Sequence, residues 1–533
     1  MAVFGHIHVQ IRHNVGFSRF PLRIGQGILG KLTVSRRPDV LGHWIIGGTH
    51  MSYLGVDLGT SGLRLLLVSD QGQPIAAVER TYQVSNPQMG WSEQDPACWV
   101  RAFDDAVGEL RTSCPAFGGL RGIGVAGHMH GATLLDASGA VLRPCILWND
   151  TRAHAEAAEL DAMDGVRAAS GNIVFPGFTA PKLDWVRRNE PEIFAKVAKV
   201  LLPAAYLNYY LTGEYVADMS DSAGTAWLDV GSRAWSDHLL EVSHMRREQM
   251  PNLVEGSEQA GTLRHALRDA WGLSGRVIVA GGAGDNAAAA CGIGALDEGQ
   301  GFVSLGTSGV VLAARDGYHP APETALHTFC HAVPARWYQM GVMLSATDSL
   351  NWFSTLVDQK PAALTAALGD ALHAPSTLRF MPYLAGERTP HNDANIRGGF
   401  IGLAKSTTRA DMTQAILEGV AFGLRDSYQA LATANMQLDH VIAIGGGSAS
   451  RYWLKLIATV FGIPLQIPKS GEFGAAFGAA RLGMIAATGD DPATIITRPI
   501  CDEQIDPDVH LVDSFEAAYQ TFRVSYAGLK SLQ

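Results

Sequence analysis

A short phrase occurs twice in this chain, and its two copies lie nearly half of the 533 residues apart. Residues 57–62 read DLGTSG and residues 304–309 read SLGTSG. Short apolar runs typical of β-strands flank the first copy, at residues 53–56 and 63–68, so each phrase predicts a tight turn between two strands. A phrase repeated over so long an interval predicts a duplicated lobe.

Each of these turns has the chemistry of a phosphate site. Glycine removes the Cβ that would block close approach, so backbone N–H groups and small hydroxyls can face phosphate oxygens. The candidate phosphate-binding residues are Thr60, Ser61, Gly306 and Thr307. Only the first copy carries an acid, Asp57, which suits Mg²⁺ because that ion prefers carboxylate, water and phosphate oxygens. The alternative for Asp57 is a turn-stabilising Asx motif.

Length and hydropathy place the chain among globular proteins of more than one domain. A chain of 533 residues with 47% hydrophobic residues and a mean hydropathy of +0.07 is too long for one ordinary core. We expect one lobe over residues 51–297 and a second over 298–533, with the boundary in a glycine-containing polar link. No apolar run approaches 18 residues, so no transmembrane helix is expected.

Charge and cysteine content limit which partners and which cellular compartment can be expected. The chain has a formal net charge of −10, which disfavours nucleic acid as a partner. Its six cysteines show no CxxC spacing, which favours a reducing, cytoplasmic setting. Residues 1–50 differ, because they carry six Lys or Arg residues against the single Asp39. We expect an extension outside the fold, the alternative being a targeting or binding arm.

Eight ordered segments carry a family resemblance. The paired turns are similar to those of the actin-like ATPase superfamily, and the rest of the chain resembles the FGGY family of carbohydrate kinases, most of all the branch that phosphorylates D-xylulose. The resemblance runs from about residue 53 to near the end, and its segments are residues 91–96, 129–133, 147–150, 176–183, 284–287, 383–390, 445–447 and 474–480.

The resemblance implies a fold and a reaction. The fold would be α/β, with two actin-like ATPase (ribonuclease H-like) lobes around a central interdomain cleft. The reaction would transfer the γ-phosphate of ATP, with Mg²⁺, to the terminal hydroxyl of D-xylulose. The partner would be a small-molecule sugar, without nucleic acid or membrane, and a homodimer stays open. The rivals are a kinase for another ketose, a pentitol or glycerol, and a non-catalytic nucleotide-dependent sugar sensor.

A general base is the first requirement of such a reaction, and Asp285 is the candidate. It follows a strand-end glycine corner at residues 281–284 and matches the base of the resembled family. From the residues alone the alternative is equally good: Asp285 would cap the helix that begins near Asn286. Both roles are geometrically compatible.

Sugar contacts are implied for Met129 and His130 and, beside the base, for Asn286. An imidazole can hydrogen-bond hydroxyls, and methionine supplies an adaptable apolar wall. His128 departs from the family, which commonly has glutamine at that place. The alternative of a metal pair at His128 and His130 has no evident third ligand.

Adenosine is expected on the second lobe, where a strand runs into three glycines. Those glycines let a nucleotide approach the backbone, and nearby serines can contact ribose or adenine. The candidate residues are Gly445, Gly446, Gly447 and Ser450.

Overall fold

Two sheets of matching topology organise this computed structural model, which describes residues 51–469 and 474–532. The proposed extension at residues 1–50 lies outside the described residues. The first half of the described chain contains the strands β1 (Ser52–Leu58), β2 (Gly62–Ser69), β3 (Pro74–Thr81), β4 (Glu93–Gln94), β5 (Leu120–Gly127), β6 (Thr133–Leu135), β7 (Cys145–Ile146), β8 (Lys199–Leu201), β9 (Val216–Asp218), β10 (Leu228–Asp229), β11 (Ala234–Trp235), β12 (Asn252–Val254), β13 (Gln259–Thr262), β14 (Ile278–Ala280) and β15 (Ala283–Gly284).

Helices of the first half alternate with these strands. They are α1 (Pro96–Ser113), α2 (His154–Asp161), α3 (Val166–Ser170), α4 (Thr179–Asn189), α5 (Pro191–Phe194), α6 (Pro203–Thr212), α7 (Met219–Ser222), α8 (Asp237–Val242), α9 (His265–Ala270) and α10 (Asp285–Ile293).

The second half repeats the pattern with fewer small strands. Its strands are β16 (Gly301–Leu305), β17 (Gly309–Arg315), β18 (His327–Cys330), β19 (Trp337–Met343), β20 (Arg379–Met381), β21 (Gly399–Ile401), β22 (Val441–Ile444), β23 (Leu465–Pro468) and β24 (Cys501–Ile505). Its helices are α11 (Thr347–Leu356), α12 (Pro361–Ala366), α13 (Arg409–Thr433), α14 (Arg451–Phe461), α15 (Ala475–Thr488), α16 (Pro492–Ile495) and α17 (Val512–Lys530).

The order of strands confirms the duplicated lobe. The first sheet runs β3-β2-β1-β5-β14-β13 and the second β19-β17-β16-β22-β23-β24, with β18 added outside β19. In each, three adjacent antiparallel strands, β1, β2 and β3 or β16, β17 and β19, lie beside a later strand, β5 or β22, that is parallel to the first. The edges differ in chain order, because β13 precedes β14 whereas β24 follows β23. The predicted α/β class with two related lobes is confirmed.

Local signals for helices are confirmed as well. The Asp95 side chain accepts from Ala97 N–H at the start of α1, with proline in the first turn. The buried side chains Trp99, Phe103 and Val107 of that helix pack in the core beneath the first sheet, as their helical spacing predicts.

Helix α15 lies late in the chain, yet it packs on the sheet of the first lobe. A Cβ built at Gly55 of β1 would lie 1.8 Å from the carbonyl O of Ala476, and one at Gly124 of β5 would lie 1.9 Å from that of Ala479. At Gly478 a Cβ would meet the carbonyl O of Ala288 in α10 at 1.8 Å. Any larger residue would push the backbones apart, so these glycines determine how closely helix and sheet approach.

The two repeated turns differ by one residue in register. In the first lobe Leu58 pairs with Leu63, so Asp57 stands opposite Arg64. In the second lobe Leu305 pairs with Gly309 at the equivalent place. Residues directly opposite in an antiparallel pair share a face. The longer first turn therefore puts a cation, and not Leu63, beside the acid.

Candidate active site

Asp57 and Asp285 lie at the same edge of the first sheet. Strand β5 pairs in parallel with β1 on one side and with β15 on the other. Its residue Ala126 is the partner of both Asp57 and Ala283, two residues before Asp285. Strand register alone therefore brings together two acids that are far apart in sequence.

Asp285 is the first residue of α10, and Gly284 holds the cap position. One carboxylate oxygen, Oδ1, accepts hydrogen bonds from the backbone N–H and the side-chain Nδ2 of Asn286, at 2.7 and 2.9 Å. The other oxygen, Oδ2, has no hydrogen-bond partner among the described residues. Asp285 is thus not the N-cap residue, although its Oδ1 accepts one first-turn N–H of the helix, and the other oxygen of the carboxylate is left for a ligand.

Burial raises the pKa of both carboxyl groups, although each residue keeps some solvent exposure. It raises the pKa of Asp57 to about 7, with a further rise from the charge of Asp285 and an opposing effect of Arg64. It raises the pKa of Asp285 to about 6, opposed by the two hydrogen bonds from Asn286. Two carboxylates that destabilise each other's charge form an electrostatic setting that favours a cation.

His130 is held in one orientation and one tautomer. Its Nδ1 lies 2.7 Å from the carbonyl O of Gly224, which can only accept, so Nδ1 carries the hydrogen. The ring stacks on Phe178 with centroids 4.7 Å apart. Burial holds the pKa of His130 well below its usual value, so the ring is neutral at pH 7. Nε2 is then an acceptor without a partner among the described residues.

Met129 packs against the backbone that leads to Asp285, and it also lies beside His130 at Gly224. A Cβ at Gly284 would meet Met129 Cγ at 2.8 Å, and one at Gly224 would meet His130 Cε1 at 2.4 Å. The Gly284 N–H in turn donates to Ser220 Oγ at 3.2 Å. The structure therefore brings the sequence-predicted residues Met129, His130, Asp285 and Asn286 into one cluster.

Side chains from three segments hold the first repeated turn. Gln94 Nε2 donates to the carbonyl O of Thr60 at 2.7 Å, and Tyr82 OH to that of Gly59 at 2.6 Å. Trp148 Nε1 donates to the Thr60 hydroxyl oxygen at 2.9 Å. With its acceptors occupied in this way, the turn is left to present donors, while Ser61 stays exposed.

The second repeated turn and the three glycines lie against each other. A Cβ at Gly445, where φ is +87°, would meet the Leu305 backbone at 2.8 Å, and Gly446 and Gly445 are exposed. The start of α11 supports the turn, because Thr347 donates from N–H and Oγ1 to the Gly306 carbonyl. Gly447 and Thr307 thus belong to one surface. Ser450 accepts from Trp453 N–H and caps α14.

Two cationic side chains near His130 were not among the residues predicted from the sequence. Lys182, fully buried on α4, donates from Nζ to the carbonyl oxygens of His130 and Gly177. Arg388 reaches the same region from the second half of the chain, with its Cζ 5.3 Å from the Phe175 ring centroid. Both residues lie in segments that carry the family resemblance, residues 176–183 and 383–390. The resemblance could therefore have pointed to them.

Other polar residues of this region prove to be structural. Asp150 receives hydrogen bonds from Ser92 N–H and from the backbone and guanidinium of Arg152, so the pair holds its loop. His128 is buried with its ring edge-on to Trp99. His327, on β18, packs among phenylalanine rings in the core. Within residues 51–469 and 474–532, no group of three metal-ligating side chains is found.

Comparison with known proteins identifies this arrangement. Sequence models for the N-terminal and C-terminal domains of the FGGY family of carbohydrate kinases match residues 52–292 and 301–487. The chain belongs to the FGGY family of carbohydrate kinases. It is 44% identical over 483 residues to the xylulose kinase of Escherichia coli strain K12, an alignment that covers 90% of this chain and 99% of that protein.

Solved structures agree with the FGGY assignment. A crystal structure described as a xyloylose kinase from Brucella ovis is 56% identical, with a TM-score of 0.88, and covers 90% of this chain and 100% of that one. A gluconate kinase from Lactobacillus acidophilus, 24% identical, superposes with a TM-score of 0.84 over 90% of this chain and 98% of its own. That likeness concerns the fold alone, and it agrees with the two sheet-containing lobes described above. Across the described part of this FGGY chain, every helix is too short or too polar to cross a membrane.

Proposed function

We propose that this FGGY kinase transfers the γ-phosphate of ATP to the terminal hydroxyl of D-xylulose, forming D-xylulose 5-phosphate. The observation that carries the proposal is the strand register that brings Asp57 and Asp285 to one sheet edge. The identity of 44% to a xylulose kinase, over nearly the whole of that protein, supports the choice of sugar. The proposed lobe boundary at 297/298 falls between the two family-matched segments.

Asp285 is the proposed general base. Its Oδ1 is occupied by Asn286, and Oδ2 is open to take the proton of the attacking hydroxyl. With a pKa of about 6 the group is a carboxylate at neutral pH, yet more basic than an ordinary aspartate. A base matched in this way to the working pH contributes ~10²–10⁴ in rate.

The neighbouring residues would bind and orient the sugar. His130 offers Nε2 as an acceptor to a sugar hydroxyl, because Nδ1 is committed to the Gly224 carbonyl. Met129 provides an apolar wall beside Gly284, and Asn286 can hydrogen-bond a hydroxyl next to the base. Orientation of this kind lowers the barrier by fixing the reacting oxygen near the phosphorus.

The two repeated turns and the glycine loop would bind the nucleotide. Phosphate oxygens would meet the donors of the turns, and adenosine would lie along the exposed glycines. The residues are Thr60, Ser61, Gly306, Thr307, Gly445, Gly446, Gly447 and Ser450. Asp57 would hold Mg²⁺ together with water and phosphate oxygens, because that ion prefers such ligands. When bound, that ion supplies charge neutralisation of the phosphates.

A substrate panel tests the proposal. D-Xylulose, D- and L-ribulose, other ketoses, pentitols and glycerol would be compared as acceptors by coupled ADP release with Mg²⁺ and ATP. We expect D-xylulose to have the highest kcat/KM, with the product phosphorylated at the terminal carbon. A higher kcat/KM for another acceptor would show that D-xylulose is not the preferred substrate, while the assignment as a sugar kinase would stand. Nucleotide binding without phosphorylation of any acceptor would favour a sugar sensor.

A further inference from the structure

Arg388 stands between the first repeated turn and the sugar cluster. It belongs to the loop that follows β20 in the second half of the chain. Its Cζ lies 6.0 Å from the Trp148 ring centroid, and Trp148 is the residue that donates to the Thr60 hydroxyl of the turn. On the other side, a Cβ at Gly177 would lie 3.2 Å from Arg388 Nη2.

The sugar cluster begins directly beyond Gly177. The Gly177 carbonyl accepts from Lys182 Nζ at 2.6 Å, and the same ammonium group donates to the His130 carbonyl. Burial lowers the pKa of Lys182 to about 7. The charge of Arg388 adds to the lowering of the pKa of His130, which places the guanidinium near the proposed sugar-binding imidazole.

Among the described residues, the guanidinium of Arg388 has no protein acceptor. Within residues 51–469 and 474–532, no group accepts a hydrogen bond from it and no carboxylate forms an ion pair with it. The adjacent carboxyl, Glu387, instead accepts the backbone N–H groups of Leu344 and Arg388. Burial raises the pKa of Glu387 to about 8, so this carboxyl is mostly protonated at neutral pH.

A charged guanidinium in this setting favours an anionic ligand. Arg388 is half-buried, and burial lowers its pKa only to about 10, so it stays charged at pH 7. A partly desolvated guanidinium binds phosphate oxygens in a bidentate manner, with hydrogen bonds stronger than those between neutral groups. The rings of Trp148 and Phe175 lie near its Cζ, at 6.0 and 5.3 Å, and neither ring accepts a conventional hydrogen bond from its N–H donors.

We propose that Arg388 is a catalytic residue that binds the phosphoryl group during its transfer and the phosphate of the sugar product. The inference rests on the proposed function. The sugar oxygen bonds to the γ-phosphorus as the bond from that phosphorus to the β,γ-bridging oxygen breaks, and the hydroxyl proton passes to Asp285. ADP departs, and Arg388 forms no covalent bond. Its charge offsets that on the non-bridging oxygens, an effect worth ~10³–10⁵ in kcat where an arginine supplies it.

Binding and turnover together test this role. In Arg388→Met the Kd for D-xylulose, measured by calorimetry, should stay within about twofold of the parent because the free sugar is neutral. The Kd for D-xylulose 5-phosphate should rise by ~10-fold or more, since the lost pairing concerns the phosphate alone. The kcat should fall by ~10³-fold. Arg388→Gln, which keeps polar donors without the charge, should show the same order of effects.

The control is Arg425→Met, also in the second half. Arg425 lies over the Tyr519 ring at 4.4 Å but is paired with Glu516, so its loss should leave both Kd values and kcat unchanged. If either Arg388 variant is folded and keeps parent kcat and product affinity, the inference is wrong. An equal loss of sugar and product affinity would also overturn it. A parent that phosphorylates no sugar would contradict the proposed function instead.

Discussion

Lys182 Nζ lies 2.8 Å from the carbonyl oxygen of His130 and donates a hydrogen bond to it. Thr179 Oγ1 donates to the same oxygen at 3.1 Å. His130 has φ of +69°, a left-handed conformation that residues other than glycine rarely adopt. The two donors therefore stabilise a strained backbone that turns the ring toward the Gly224 carbonyl and Phe178.

Replacing Lys182 by methionine should lower the catalytic efficiency with the sugar and leave the KM for ATP unchanged. Methionine fills similar space without the donors, so His130 loses support for its conformation. We expect kcat/KM for D-xylulose to fall by ~10–10²-fold and KM for ATP to stay near the parent value. Steady-state kinetics measures both quantities, and circular dichroism checks the fold.

A matched control and a double-mutant cycle isolate the effect. Lys199 likewise donates from Nζ to two backbone carbonyls, those of Glu248 and Met250, so Lys199→Met should leave kinetics unchanged. If Lys182 works through His130, then Lys182→Met should cost little more in a His130→Ala background. Full additivity of the two losses would contradict a positioning role.

Asp285→Asn should abolish sugar phosphorylation without unfolding the protein. Gly284 occupies the cap position of α10, and the amide oxygen of asparagine can still accept the Asn286 N–H that Oδ1 accepts in the parent, so the first turn should persist. Asparagine cannot take the hydroxyl proton, and we expect a loss of ~10²-fold or more in kcat with ATP affinity retained. Asp95→Asn is the control, because Asp95 does cap α1 and asparagine caps equally well. A variant at position 285 with parent turnover would refute the base.

Asp57→Asn should lose activity and gain stability. Without the charge, Mg²⁺ is held less well, so kcat should collapse and the Mg²⁺ requirement should rise, while sugar affinity persists. The pKa of Asp57 is raised from 3.8 to about 7, so the stability cost of its charge grows as the pH rises between these values and is fully present at pH 8. Relief of this cost should raise Tm at pH 8 by about 2 °C. Unchanged Mg²⁺ dependence would argue for a purely structural turn residue.

The pH dependence of kcat/KM should reveal the raised pKa of Asp285. A base must be deprotonated, so activity is full above its pKa and is lost as the pH falls through it. We expect the acid limb near pH 6, and not near the usual value of 3.8, measured under saturating ATP and Mg²⁺. Activity that stays level down to pH 4.5 in folded protein would exclude Asp285 as the base.

The sequence by itself determined what depends on neighbouring residues. The repeated phrase predicted two strand turns, and both occur with matching sheets behind them. Asp95 and the following proline predicted the start of α1, and the apolar spacing of Trp99, Phe103 and Val107 predicted its buried face. Such signals are local, since a cap, a turn or a helical period involves residues within a few positions of each other.

Family resemblance added the candidate residues of the site but not their geometry. Asp285 was equally acceptable as a base or as a helix cap from the residues alone. The structure assigns the cap position to Gly284. The distinction depends on one residue at the start of α10, which sequence patterns do not resolve.

Only the tertiary structure decided which distant groups meet. The Gly224 carbonyl sets the tautomer of His130, and Arg388 arrives from the second half of the chain. Each of these contacts joins segments whose separation along the chain carries no information about their distance in space. Strand pairing and close backbone approach bring them together, and both are properties of the whole packed sheet.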